Sequence, residues 1–251
     1  MKKKLCIIQA RMGSTRLPNK VLLEVKRTPL LEYEIQRVKR ATLIDRIVVA
    51  TTDSPADEKI VELCSKIGVD YFRGSEKDVL DRYYQCALKY PEYGTIIRIT
   101  GDCPLIDPKV IDEVLRLFDE GKYDYASNVA KETFPDGMDI EVFTREALKE
   151  AANEANLASE REHVTLYIRN REKFKKGNLE ARHDFSHFRL TVDQKEDFEV
   201  IQFLIENSSI EDEYLHYISV LTKHPDIMAK NMSIMRNEGL KKSLKEDRVI
   251  Q

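Results

Sequence analysis

Residues Leu5–Lys20 read LCIIQARMGSTRLPNK. The opening Leu5–Gln9 is a short apolar run, which suits a strand buried on both faces. A polar loop follows, holding Gly13-Ser14-Thr15 and the cations Arg11, Arg16 and Lys20. Backbone N–H groups in such a small, flexible stretch can surround phosphate oxygens. Three nearby cations suit a triphosphate, which carries about four negative charges and is held best by charge-assisted hydrogen bonds. The loop has neither the GxxxxGK[ST] spacing of a P-loop nor the GxGxxG of a dinucleotide fingerprint, so neither of those readings is supported. Taken alone it also fits a solvated turn; its place at the end of a strand favours phosphate.

Outward from that loop, short apolar runs alternate with amphipathic helical patterns, the signature of βαβ units and an α/β fold with a mainly parallel central sheet flanked by helices. Leu31, Ile35 and Val38 have helical spacing, and Arg46–Ala50 follows as a second strand. Ser54, Pro55 and Asp57 open a helix that Gly68 ends, with Ile60, Cys64 and Ile67 as its apolar stripe. Val69–Phe72 reads as a third strand, Arg73–Lys77 as a loop, and Leu80, Tyr84, Ala87 and Leu88 as the inward face of the next helix. Thr95–Thr100 is a central strand, after which Asp107 and Pro108 start a helix with Val110, Val114 and Leu117 inward. Past residue 123, strands are expected at Tyr123–Val129, Met138–Phe143 and Phe188–Val192, with two helices between Thr144 and about Arg171. From Pro225 the chain is polar, and Met228, Met232 and Met235 at about one-turn spacing predict a helix packed on the body or on a partner subunit. The expected organisation is one domain over residues 1–223, comprising a nucleotide-binding half (1–122), a substrate or dimer arm (123–187) and a return to the core (188–223). A helical extension over 224–251 follows.

A chain of 251 residues with 42% hydrophobic content can bury a sizeable core. Its net charge of -3, from 41 basic and 44 acidic residues, gives no broad basic field, so nucleic acid is not an expected partner. No stretch approaches the roughly 20 apolar residues that span a bilayer, so no membrane association is expected and the location expected is cytoplasmic. Cys6, Cys64, Cys86 and Cys103 lack metal or disulfide spacing and read as packing residues.

Two acids complete the pattern. In ITGDCPLID, Ile99–Asp107, Asp102 ends an apolar strand at the sheet edge where ligands of open α/β sheets bind. Mg²⁺ binds through one or two carboxylates plus phosphate oxygens, so a carboxylate facing a cationic loop fits that ion; a turn aspartate capping backbone amides is the bland alternative. In FRLTVDQKEDF, Phe188–Phe198, Asp193 likewise ends an apolar run, and the two carboxylates could share metal beside an α-phosphate. Asp197 falls in the first turn of the following helix, where an acid suits the dipole, and reads as structural.

The segments QARMGSTRLPNKVL, RGSEKDVLDRYY, RITGDCPLID, FPDGMDIEVF, EREHVT and RLTVDQKEDF together resemble the cytidylyltransferase family that includes the CMP-sugar-acid synthetases, and most closely its spore coat polysaccharide biosynthesis, SpsF-like, branch. The resemblance runs from about residue 4 to residue 205. It implies a Rossmann-like, GT-A-type nucleotidyltransferase with CTP as substrate, Mg²⁺ as cofactor, and a homodimer built around an arm from the second half. Arg11, Ser14 and Lys20 would bind the triphosphate within the Gly13 loop, with Arg16 assisting; Ala10, Gly74, Ser75 and Gly101 would lie near base and ribose. Asp102 and Asp193 match the metal carboxylates, and Lys20, Arg16 and Asp102 would carry the catalysis.

PDGMDIEVF and EREHVT crowd Asp136, Asp139, Glu141, Arg161, Glu162 and His163 into the second half. A polyhydroxylated, sugar-like acceptor wants such groups: carboxylates for hydroxyls, Arg161 for an acid group, and His163 to orient or deprotonate a hydroxyl. For Glu162 and His163 a helix-surface ion pair or cap is the alternative. The expected chemistry is attack by an acceptor oxygen on the α-phosphorus of CTP, with pyrophosphate leaving as Lys20 and Arg16 neutralise its charge. A metal-dependent glycosyltransferase would carry DxD, and Asp102-Cys103-Pro104 lacks the second acid. A non-catalytic nucleotide-binding protein has no need of Lys20, Asp102 and Asp193 together.

Overall fold

The computed structural model describes residues 2–250. In chain order the strands are β1 (Lys3–Gln9), β2 (Glu24–Val25), β3 (Thr28–Pro29), β4 (Arg46–Thr52), β5 (Asp70–Gly74), β6 (Tyr93–Thr100), β7 (Tyr125–Ser127), β8 (Glu141–Thr144) and β9 (Lys176–Asn178). The helices are α1 (Leu30–Val38), α2 (Glu58–Lys66), α3 (Val79–Leu88), α4 (Pro108–Gly121), α5 (Arg145–Glu154), α6 (Ala158–Glu162), α7 (Leu166–Asn170), α8 (Lys195–Glu206), α9 (Tyr214–Lys223), α10 (Pro225–Met228) and α11 (Glu238–Lys245).

Seven strands form one sheet in the order β5-β4-β1-β6-β8-β7-β9, and within it β8 alone runs against its neighbours. Alternation along β1 sends Cys6 and Ile8 to one face, where α1, α2, α4, α8 and α9 cover them. Leu5 and Ile7 face α3, α5 and α7 on the other side. Each such fully buried aliphatic side chain contributes about 1.5–3 kcal/mol relative to exposure. The chain leaves β1 toward β4 on one side and returns to β6 on the other. The carboxyl ends of β1 and β6 therefore flank the switch point where open sheets bind ligands.

The α/β architecture matches its sequence expectation, with several local differences. On α4 it is Leu115 and Phe118, not Leu117, that are buried with Val110 and Val114. On α3 the inward residues are Leu80, Tyr83, Cys86 and Ala87, while Leu88 is 48% exposed; the Tyr83 hydroxyl instead reaches the Ile7 carbonyl at 3.2 Å. Three helices rather than two occupy 145–170. Phe188–Val192 is an extended segment with a single bridge, Arg189 to Asp136, because its N–H groups go to loop carbonyls rather than to a strand. The short β9 and the β2–β3 hairpin had no periodic signal long enough to show. In the hairpin Lys26 and Arg27 hold φ of 50° and 64°, and the Lys26 ammonium reaches the last carbonyls of α8. The methionine spacing after Pro225 does not form one helix: Met232 and Met235 stand 49% and 60% exposed in the irregular stretch between α10 and α11.

Candidate active site

The loop after β1 is held from beneath. Gly101 N–H donates to Gln9 O at 2.8 Å, and Met12 N–H donates to Asp57 Oδ1 at 2.8 Å. Asp57, 1% exposed, also accepts from Thr51 Oγ1, Thr52 N–H and Thr52 Oγ1, so it anchors the loop rather than facing a helix dipole. Asn19 turns the chain with φ of 60°, and Lys20 projects from the following 3-10 turn. Its ammonium lies 2.7 Å from Asp102 Oδ2 and 2.8 Å from Asp193 Oδ1, and Arg16 Nη2 lies 2.7 Å from Asp193 Oδ1.

Asp102 and Asp193, 91 positions apart, meet because the extended segment before Asp193 docks on the turn after β6. Val192 N–H and Thr191 Oγ1 both donate to the Asp102 carbonyl, at 2.9 and 3.0 Å. Gly137, with φ of 99°, lies so close that a Cβ there would stand 2.6 Å from the Leu190 carbonyl group. Arg189 ties the segment laterally to Asp136, Asp193 and Asp197. Asp197, fully buried, accepts from the backbone N–H groups of Asp193 and Gln194, and has the structural place expected of it.

Burial alone would raise the Asp102 carboxyl, but the charge and hydrogen bond of Lys20 outweigh it and bring it down to about 2. Burial likewise disfavours the Lys20 ammonium, and the two carboxylates push it up to about 12. Asp136 is driven up to about 7 by burial and the charge of Asp139, against Arg236 and Arg189. Burial pushes His163 below its ordinary value, which keeps the imidazole neutral at neutral pH.

Two cavities meet at this cluster. One, of about 720 Å³, is lined by Ala10, Arg11, Ser14, Lys20, Gly101 and Glu162 among others; the second, of about 240 Å³, by Asp136, Asp139, Glu141, Thr165 and Arg169. Arg16, Arg98, Thr100, Asp102, His163 and Asp193 belong to both and form the wall between them. Gly13 lines neither, but a Cβ on it would meet Glu76 Oε1 at 3.3 Å; Gly74 and Ser75 line a shallow depression beside the larger cavity. Arg161 lies outside both cavities: its Nε and Nη2 grip Asp78 Oδ2 at 2.9 and 2.5 Å. Glu141 is enclosed by Arg98, Tyr125 and Thr165, and Glu162 and His163 share Ser243.

Sequence reasoning passed over Arg98, Arg169, Arg189, Thr191, Arg236, Glu238 and Arg248. The first and third carried a usable signal: Arg98 and Thr100 alternate with Ile97 and Ile99, and Arg189, Thr191 and Asp193 alternate with Leu190 and Val192, so each polar set shares a face. Among the described residues no group of three or more acidic, His or Cys side chains forms a ready metal cage. A donor set of two converging carboxylates with a cation between them does fit Mg²⁺, whose remaining ligands are phosphate oxygens and water. No helix among the described residues is long and apolar enough to cross a membrane.

Known proteins are similar to this chain in sequence and fold. The spore coat polysaccharide biosynthesis protein SpsF of Bacillus subtilis is 37% identical over 234 residues, covering 88% of this chain and 95% of that protein. A solved cytidylyltransferase from Leptospira borgpetersenii is 39% identical and superposes with a TM-score of 0.87, over 94% of this chain and all of that one. The fold extends further, to a CMP:2-keto-3-deoxy-manno-octonic acid synthetase solved with CTP, at a TM-score of 0.63, 18% identity, and coverage of 82% and 99%. A family model described as cytidylyltransferase matches residues 5–242, a span that takes in the loop after β1, both aspartates and most of the chain beyond them, and the chain therefore belongs to the cytidylyltransferase family.

Proposed function

We propose that this protein transfers CMP from CTP to an anionic, sugar-like acceptor with release of pyrophosphate, in the biosynthesis of a surface polysaccharide or glycan. One observation carries this reading: Asp102 and Asp193 converge on one cation in the wall shared by the two cavities. The larger cavity takes the nucleotide, with Arg11, Ser14, Arg16 and Lys20 on its phosphates, Ala10, Gly101 and the Gly13 turn shaping the approach, and Gly74 and Ser75 at its outer rim. The smaller cavity takes the acceptor.

Within it Asp136 and Asp139 accept acceptor hydroxyls, and Glu141 holds Arg98 in place. Arg169 is paired with no carboxylate among the described residues and takes the acceptor's carboxylate or phosphate, the role that Arg161, tied to Asp78, is not positioned to fill. His163, neutral and on the dividing wall, orients the attacking hydroxyl or receives its proton, with Glu162 beside it on the nucleotide side. Lys20 and Arg16 exchange carboxylate for phosphate oxygens and neutralise the charge that grows on the leaving pyrophosphate. Asp102 and Asp193 would hold Mg²⁺, which when bound would supply Lewis-acid polarisation of the α-phosphate. The resemblance of the chain supports a homodimer, which light scattering at twice the chain mass tests.

The direct experiment follows pyrophosphate release from CTP with a panel of sugar acids, with and without Mg²⁺. Asp102→Asn and Asp193→Asn are expected to lower kcat by about 100-fold or more at unchanged far-UV circular dichroism. Full turnover by either variant overturns the assignment.

A further inference from the structure

Residues 225–250 form a strap along the site, of which residues 237–240 line the smaller cavity and Arg248 lines the larger. Asn231, 2% exposed, donates its amide to Arg189 O and to Asp197 Oδ1, each at 3.1 Å. Arg236 donates to Phe134 O at 3.1 Å and to Asp139 Oδ1 at 2.5 Å. Residues 237–240 roof the smaller cavity, and Glu238 Oε2 accepts from Arg16 Nη1 at 2.9 Å. Past α11 the strap docks on residues 156–159. Asp247 accepts from Ser159 N–H at 3.0 Å and from Ser159 Oγ at 2.7 Å; Arg248 O accepts from Ala158 N–H at 2.9 Å; Ile250 N–H donates to Asn156 O at 2.7 Å.

This docking fixes the backbone on both sides of Arg248, whose side chain lines the larger cavity together with Arg11, Arg16 and Lys20. Those three cations already have carboxylate partners: Glu76 for Arg11, Asp193 and Glu238 for Arg16, Asp102 and Asp193 for Lys20. The Arg248 guanidinium, like Lys77 and Arg82 in the same lining, has no ion-pair partner among the described residues. A planar fork of five donors, held beside a cavity suited to a polyanion and lacking a counterion, matches phosphate oxygens. We infer that Arg248 is a further nucleotide-binding residue, brought to the site by the docked strap and contacting the phosphates of the bound nucleoside triphosphate. The inference rests on the larger cavity being the CTP site.

The test uses full-length protein and titrates CTP by calorimetry and cytidine by ligand-observed NMR. Arg248→Ala is expected to weaken CTP about five- to tenfold, since one exposed charge-assisted contact is lost, and to leave cytidine, which has no phosphate, unchanged. Arg248→Lys restores part of the affinity because the charge returns without the fork. Asp247→Ala, whose carboxylate faces Ser159, undocks the strap and reproduces the CTP loss. Wild-type CTP affinity in Arg248→Ala, or equal weakening of CTP and cytidine, overturns the inference, and wild-type affinity in Asp247→Ala overturns the part played by docking. If the unaltered protein binds no CTP, the nucleotide assignment itself falls.

Discussion

Lys20 stands between two carboxylates, and among the described residues no other cation pairs with Asp102. Lys20→Met keeps the length of the side chain and removes its charge, so two part-buried acids are left facing each other. The variant should unfold with a loss of about 1–3 kcal/mol at pH 7 in urea, the range for stranding a buried charge, with Arg16 still beside Asp193. The pH dependence follows from Asp102, whose folded-state value of about 2 lies below its ordinary 3.8. Stability from such a depressed acid is present above pH 3.8 and disappears as pH falls through 2. The gap between Lys20→Met and the unaltered protein should therefore close over that interval; a constant gap would place the effect elsewhere. Lys20→Arg should recover stability without recovering kcat, because a planar fork cannot sit between oxygens 2.7 and 2.8 Å away as a compact ammonium does.

The segment that delivers Asp193 owes its position to backbone contacts at both edges. Gly137 presents no Cβ to Leu190 and Thr191, whereas Gly68, with φ of 64°, ends its helix in open space. Gly68→Ala should cost only the left-handed strain, about 1 kcal/mol, and leave kcat unchanged. Gly137→Ala adds a clash with backbone 2.6 Å away. It should therefore lower both melting temperature and kcat by moving Asp193 off Asp102; equal kcat in the two variants would show that the backbone contact does not set the site. The reach of sequence reasoning follows from the same physics. Leu5–Gln9, Thr95–Thr100 and the acids that follow were legible because long apolar runs mark central strands and ligands gather at their carboxyl ends. Phe188–Val192 alternates as a strand does, yet its partners are the Asp136 loop and the Asp102 turn, and contacts with irregular backbone leave no periodic trace. Arg161 and Arg169 look equivalent in sequence; only the place of Asp78 decides which is occupied. The strap was illegible for a related reason, since Arg236, Glu238 and Asp247 act through ion pairs and hydrogen bonds to residues far away in sequence.

The molecule as a whole keeps its apolar cores on the two faces of the sheet and gathers like charges at one edge, where Asp136 and Asp139 line the same small cavity. On the proposed reading that arrangement serves a hydroxyl-rich acceptor, and it opposes stability. Burial and the neighbouring charge raise Asp136 from 3.8 to about 7, so between those values the native protein holds a proton that the unfolded chain has released. Stability then falls as pH rises across that interval, by at most about 1.4 kcal/mol per pH unit for one group. Asp136→Asn removes this titration while keeping the size of the side chain. Urea unfolding at pH 5, 6, 7 and 8 should show a shallower decline for the variant and, at pH 8, a stability at or above that of the unaltered protein. The same variant should raise KM for the acceptor and leave KM for CTP unchanged, since Asp136 lines the smaller cavity and not the larger. Parallel pH slopes would show that Arg189 and Arg236 already compensate the charge in full, whereas a shallower slope with a raised acceptor KM would mean that the fold gives up stability to keep an acid in the acceptor cavity.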